Sequence, residues 1–361
     1  MSVVAATADY EAWLAATVGV PLVADDLRHK HRLLADPTDP FPFFRGTYYL
    51  WAHRWPEEQA LADAPRVLAV GDLHVENFGT WRDADARLCW GVNDFDEADD
   101  LPYTHDLVRL AASVRLAGGG LAVKLRPACD AVLTGYTRAL TAGGRPYVLE
   151  ERNPHLRALA TAADREPASF WTKLLALLEL PPADPPADAW AALVGLMPAA
   201  GLAVEFRPRP RAGVGSLGRP RYVALAEWAG GQVCREAKAA APPATAWAAS
   251  VTGRSRAAEA VGRAVRAADP FYAPGDRWVV RRLAPRCSRI ELPLLAKADA
   301  GRLLRAMGSE TANVHLGTAG AAGLILADLA RRPDGWLADA ARRMARRTAD
   351  DWAAWRAHSR R

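Results

Sequence analysis

Lysine is scarce in this chain. Five of its 46 basic residues are lysine, at positions 30, 124, 173, 238 and 297, and the remainder are arginine. A lysine in a chemically suggestive place therefore stands out. Asparagine is scarcer still, with four residues at 77, 93, 153 and 313. Cysteine is limited to Cys89, Cys129, Cys234 and Cys287, far apart and without a C-x-x-C pair. That argues against a zinc site or a disulfide framework and fits a reducing cytoplasm. No apolar run reaches the roughly 18 residues of a membrane span. Residues 1–25 carry acidic side chains and no basic start, unlike a secretory leader. The net charge of +5 is modest for 361 residues, and no nucleic-acid-binding motif accompanies the dispersed arginines. No H-E-x-x-H motif or Ser-His-Asp constellation is present, so a hydrolase reading would rest on an unsupported metal cluster.

What is present is a globular composition, 50% hydrophobic and 24% charged, with length enough for two lobes. Residues 1–60 read as helical and aromatic-rich. Arg66–Val70 and Leu88–Val92 are short buried-strand patterns. A helix is expected from about His105, where Leu107, Leu110, Ala111 and Val114 recur at helical spacing, ending at Gly118-Gly119-Gly120. Several helices follow, one with a stripe of Phe170, Leu174, Leu175, Leu177 and Leu178. The pattern then turns extended at Leu202–Phe206, Arg221–Trp228, Gln232–Lys238, Trp278–Leu283 and Arg289–Leu295. A helix over Arg254–Ala268 interrupts this block, and Ala/Arg-rich helix runs from about Leu303 to the end. The order predicts an α+β chain in three parts: 1–200, a β-rich block over 201–297, and helices over 298–361 that return to pack on the first part.

Both strand patterns of the first part end in acidic motifs. Gly71-Asp72-Leu73-His74-Val75-Glu76-Asn77 follows one, and Asn93-Asp94-Phe95-Asp96-Glu97 follows the other. Asp72 and Asn77 are five apart, and Asp94 lies 17 beyond Asn77. This is the layout of a phosphotransferase catalytic loop, with an Asp for the acceptor hydroxyl, an Asn on the metal and a second Asp on the metal. Asp96 is either a second metal ligand or a turn cap. The plainer reading of the set is a pair of capped strand-end loops.

The β-rich block opens with Gly213-Val214-Gly215-Ser216-Leu217-Gly218. A dinucleotide fingerprint needs a helix after such glycines. Here an extended segment follows, the context of a phosphate-covering loop, in which glycines let amide N–H groups approach phosphate oxygens. An ordinary hairpin loop is the plainer alternative. Lys238 lies 20 residues beyond Gly218, at the end of the next strand pattern, where an ammonium would meet the α/β-phosphates. Glu259 is the best helical partner for Lys238, unless it is a solvated helix-face charge. Only the Asp72–Asn77 spacing fits a catalytic loop, because no Asp stands five before Asn313. The loop thus precedes the phosphate lobe, and the simplest topology is a circularly permuted, protein-kinase-like two-lobed fold.

These motifs resemble a family. The segments Gly71–Gly79, Val92–Ala98, His105–Ser113, Phe43–Gly46 and Gly213–Gly218, with Lys238, look like the bacterial family called domain of unknown function 2252, over roughly residues 27 to 355. That family is similar to aminoglycoside and choline kinase-like phosphotransferases, whose loop reads G-D-x-H-x-x-N. The resemblance implies a kinase-like fold, ATP and Mg²⁺, without naming an acceptor. Pro208 and Pro210 depart from a regular strand before the glycine loop and are tolerated only at a sheet edge, and around Arg281–Arg289 the likeness is loose.

The expected roles are then Asp72, Asn77 and Lys238 in catalysis, with Gly213, Gly215, Ser216, Gly218, Lys238 and Glu259 at the nucleotide. Asn77, Asp94 and Asp96 would hold Mg²⁺. Asp106 resembles the helix-start Asp that bonds the catalytic-loop backbone. His74 braces the loop, and His315 and Asn313 read as packing or capping residues. Arg45 reaches a phosphate, pairs with an acidic loop residue, or simply stacks on its aromatic neighbours. The function expected is ATP/Mg-dependent phosphotransfer to an unidentified small-molecule or protein hydroxyl. A regulatory nucleotide-binding pseudokinase and a nucleotidyl transferase using the same site are the alternatives. The acceptor is expected near the helical segment 120–200.

Overall fold

A computed structural model describes residues 1–117, 123–149, 152–160, 166–287 and 297–360. It is a mixed α+β molecule in which three antiparallel sheets stand among helices. Strand β1 (Arg66–Ala69) pairs with β4 (Asp99–Pro102). Strands β2 (Phe78–Arg82) and β3 (Leu88–Val92) form a hairpin extended by β5 (Tyr147–Val148). The third sheet holds five strands in the order β6 (Glu205–Pro208), β7 (Arg221–Trp228), β8 (Gly231–Ala239), β10 (Trp278–Leu283) and β9 (Tyr272–Pro274). Pro208 sits in an edge strand, where its missing N–H costs no ladder bond. Ala229 and Gly230, both at positive φ, make the two-residue turn between β7 and β8.

The register of the large sheet sorts its side chains by chemistry. Directly opposed residues of an antiparallel pair share a face. Arg221, Lys238 and Val279 form one rung, Val223, Glu236 and Arg281 the next, and Leu225, Cys234 and Leu283 the third. One face therefore grades from cationic to apolar. Its apolar end, with Val223, is covered by Phe170, Trp171, Leu174 and Leu175 of the helix Pro167–Leu175. The opposite face, through Ala224, Ala237 and Val280, joins the main core.

At the centre of that core lies the helix Tyr103–Leu116, buried along its length except at Arg115. The C-terminal helix Trp336–Ser359 packs on it. The helix Lys297–His315 packs on Leu125–Ala142 through two glycines. A β-carbon on Gly135 would collide with the Arg305 carbonyl, and one on Gly308 with the Val132 carbonyl, so the two backbones touch only because both side chains are missing.

Several elements differ from the sequence expectation. The strand expected at Leu202–Phe206 lies at Glu205–Pro208, paired with β7. The helix expected over Arg254–Ala268 is shortened to Ala257–Arg263. Strand β2, not expected from the sequence, emerges because the β3 ladder supplies its hydrogen bonds. The extended segment expected at Arg289–Leu295 lies outside the described residues. Among the described residues no helix is long and apolar enough to cross a membrane.

Candidate functional site

The acidic loop is built from its backbone outward. Strand β1 runs into Val70 and Gly71, whose N–H groups both donate to the Asp106 carboxylate, at 2.7 and 2.9 Å. Asp106 is fully buried on the central helix. Burial pushes its carboxyl up, but His105, with Nδ1 3.8 Å away, and the hydrogen-bonded His315 outweigh this and hold it well below the usual range. His315 Nε2 lies 3.0 Å from Asp106 and its Nδ1 2.7 Å from the Tyr136 hydroxyl, so the brace extends into two further helices. Gly71 has φ 81°, and a β-carbon there would strike the Glu97 carbonyl. Only glycine makes this corner, and the corner presents Asp72.

Asp72 is held by an arginine that the sequence did not single out. Arg109, one turn beyond Asp106 and fully buried, donates Nε to Asp72 Oδ1 at 2.7 Å and Nη2 to the Phe44 carbonyl at 3.0 Å. Its guanidinium lies 4.0 Å from the Phe44 ring centroid and 4.8 Å from that of Tyr48. Burial pushes the Asp72 carboxyl up, against the pull of Arg109, to about 6. The rest of the loop closes on itself. Asn77 Oδ1 accepts from His74 N at 2.8 Å, His74 Nδ1 accepts from Glu76 N at 3.2 Å, and Ser113 Oγ accepts from Val75 N at 3.0 Å. Asn93 N donates to the Asn77 carbonyl at 2.9 Å and ties the second acidic motif to the first. Arg45 pairs with Glu76 at 2.5 Å, the acidic-loop alternative.

Across from these loops stands the cationic end of the large sheet. Lys238 forms an ion pair with Asp96 and lies 3.9 Å from Asp94 Oδ1. Arg219 pairs with the same Asp96 oxygen, Oδ2. Burial, which would push the Asp96 carboxyl up, is outweighed by Lys238 and Arg219, which hold it far below the usual range. Burial pushes the Lys238 ammonium down, opposed by Asp94 and Asp96. Asp94 is half exposed toward the open space. Between β6 and β7 the glycine segment forms a single 3-10 turn, Val214–Ser216. A β-carbon on Gly215 would lie 3.2 Å from the Arg45 carbonyl and 3.8 Å from Asp72 Oδ2, so glycine permits the turn to approach the acidic loop.

One cavity of about 500 Å³ is lined by Asp72, Asn77, Asp94, Asp96, Lys238 and the turn residues Gly213, Gly215 and Ser216. Two expected residues do not line it. Gly218, at φ 99°, packs on Leu27 and accepts from Val23 N at 2.8 Å, so it anchors the end of the glycine segment to the N-terminal helices. Glu259 pairs with Arg256 at 2.7 Å and Arg263 at 2.9 Å on its own helix, and Asp96 takes the place beside Lys238 expected for it. The wall beside Asp72 comes from Tyr10, Arg45, Gly46, Tyr48 and Tyr49 rather than from the segment 120–200, of whose described residues only Phe170 lines the cavity.

The oxygen donors facing the cavity suit a hard divalent cation. Among the described residues no group of three or more His, Cys, Asp or Glu is arranged to hold a metal. The set here is two carboxylates and an amide, and Asp96 Oδ1 is buried without a hydrogen-bond partner. Magnesium is commonly held by one or two carboxylates, with substrate phosphates and water completing its shell.

The fold and cavity define a mixed α+β protein whose acidic loops face a glycine turn and a lysine on a separate sheet. The family model described as an uncharacterized protein conserved in bacteria (DUF2252) matches residues 23–174 and 207–358, and the chain belongs to that family. No curated protein and no solved structure matches this chain.

Proposed function

We propose that this protein is an ATP- and Mg²⁺-dependent phosphotransferase of kinase-like, circularly permuted fold, similar to the aminoglycoside and choline kinase-like enzymes. The observation that carries the reading is the meeting of Lys238 with Asp94 and Asp96 across 142 residues of chain, in the cavity that also holds Asp72 and the glycine turn. Supporting it, the glycine turn joins the first two strands of the five-stranded sheet and Lys238 stands on the third, the placement such a nucleotide lobe requires.

In this reading Asp72 accepts the proton of the acceptor hydroxyl as its oxygen bonds to the γ-phosphorus and the bond to the ADP oxygen breaks. An aspartate at about 6 is a better proton acceptor than an ordinary one and still ionised at neutral pH. Arg109 fixes its orientation, and positioning carries much of such a reaction. Lys238 and the turn amides hold the donor phosphates. Asn77, Asp94 and Asp96 would hold Mg²⁺, which when bound offsets phosphate charge. The test is Mg²⁺-dependent turnover of ATP by wild type, Asp72→Ala and Asp94→Asn, with products identified. ADP release lost in both variants supports the reading. Pyrophosphate release with transfer of AMP assigns nucleotidyl transfer, and Mg-ATP binding without turnover assigns a regulatory protein.

A further inference from the structure

The cationic face of the large sheet carries more charge than its carboxylates neutralise. Arg209, Arg219, Arg221, Lys238 and Arg281 all line the cavity. Glu236, fully buried, pairs with Arg209, with Arg221 at 3.0 Å and with Arg281 at 2.8 Å. Burial pushes its carboxyl up, but the three guanidinium groups hold it well below the usual range. Asp96 serves Lys238 and Arg219 together. Each carboxylate cancels one charge, so three positive charges stay uncompensated, and the half-exposed Asp94 offsets one of them. In the adjoining wall Arg282 and Asp269 pair at 3.5 Å and cancel.

A surplus of about two positive charges in a partly buried wall is unfavourable without an anion. Arg221 registers the strain, since burial and the neighbouring arginines push it down to about 10 despite Glu236. Arg281 commits only its Nε to Glu236 among the described residues, which leaves both terminal nitrogens of its planar fork free for oxygen acceptors. It is also the most exposed of the three arginines on Glu236.

We propose that this surplus is the counter-charge of a linear polyphosphate, and that Arg281, with Arg209 behind it, is a phosphate ligand beside Lys238. In identifying the cellular anion as a nucleoside triphosphate the inference rests on the function proposed above, but the charge surplus itself does not. Arg281 then takes terminal phosphate oxygens bidentately, a geometry that a lone ammonium cannot supply.

The test is calorimetric titration of the full chain with inorganic tripolyphosphate and, separately, with Mg-ATP. Wild type, Arg281→Gln, Arg281→Lys, Arg209→Gln and the remote surface variant Arg342→Gln are compared. The expected result is that wild type binds both ligands, Arg281→Gln weakens both by roughly tenfold or more, and Arg342→Gln changes neither. Arg281→Lys, which keeps the charge, should recover part of the loss. If Arg281→Gln does not fold, Arg209→Gln carries the same expectation. Unchanged affinity in the folded Gln variants overturns the proposal and leaves the phosphotransferase reading standing, as does equal weakening by Arg342→Gln. Arg281-dependent binding of tripolyphosphate without binding of Mg-ATP sustains the anion site and overturns the phosphotransferase reading.

Discussion

Arg109→Met takes a guanidinium out of the interior while keeping most of its apolar stem. Asp72 then loses the one cation to which it is hydrogen-bonded among the described residues. In wild type burial raises the Asp72 carboxyl to about 6. A raised carboxyl contributes stability that is full below its unfolded value, about 4, and is lost as pH rises through the folded one. Without Arg109 the folded value climbs further, so at pH 7 the variant keeps Asp72 protonated. Holding the wild-type carboxyl neutral one pH unit above its pKa costs about 1.4 kcal/mol, which caps the charge-pair part of the loss. The abandoned Phe44 carbonyl adds about 1 kcal/mol, and the stacking on Phe44 and Tyr48 about 1 more. The expected destabilisation is therefore about 3 kcal/mol at pH 7 and about 2 kcal/mol at pH 5, where Asp72 carries its proton in both proteins. Urea denaturation at the two pH values measures it. A loss that is equal at both, or larger at pH 5, refutes the linkage, and no loss at all refutes the buried pair.

Glu97, raised by burial to about 8, accepts from Ala244 N at 2.6 Å. Its contribution is full below the unfolded value and is lost as pH rises to 8, so the non-titrating Glu97→Gln should be closest to wild type near pH 4, gain on it by about 1.4 kcal/mol per pH unit up to pH 8 and level off above, as read from denaturation midpoints. Gly308→Ala should cost about 1–3 kcal/mol, because the new methyl meets the Val132 carbonyl and two long helices must separate; thermal melts report it. Asp106→Ala leaves the Val70 and Gly71 N–H groups without their acceptor, at about 1–3 kcal/mol each, and hydrogen exchange at those two amides should accelerate while exchange in the large sheet does not.

The parts of the site readable in the sequence were those encoded locally. Arg66–Val70 and Leu88–Val92 are apolar runs that stop at acidic residues, so strand ends could place Asp72 and Asp94 near each other. Lys238 was visible because lysine is rare and because it ends a strand pattern 20 residues beyond Gly218. Arg109 was invisible for the converse reason: among so many arginines nothing marks the one whose aromatic neighbours lie far back in the chain, at Phe44, Tyr48 and Trp51. Glu259 misled because a helical carboxylate is captured by the nearest cations, and Arg256 and Arg263 stand within one turn of it. The paired glycines Gly135 and Gly308 look like ordinary weak points of two helices until the helices are seen to cross there.

The central claim is that one Mg²⁺-nucleotide spans the glycine turn, Lys238 and Asp94. Calorimetric titration with ATP, with and without Mg²⁺, tests it most directly on wild type, Lys238→Ala, Asp94→Asn and Glu259→Gln. The account predicts Mg²⁺-dependent binding to wild type, weakened roughly tenfold or more by Lys238→Ala and by Asp94→Asn and unaffected by Glu259→Gln. Absence of binding at millimolar Mg-ATP, or binding indifferent to Lys238 and Asp94, would contradict it.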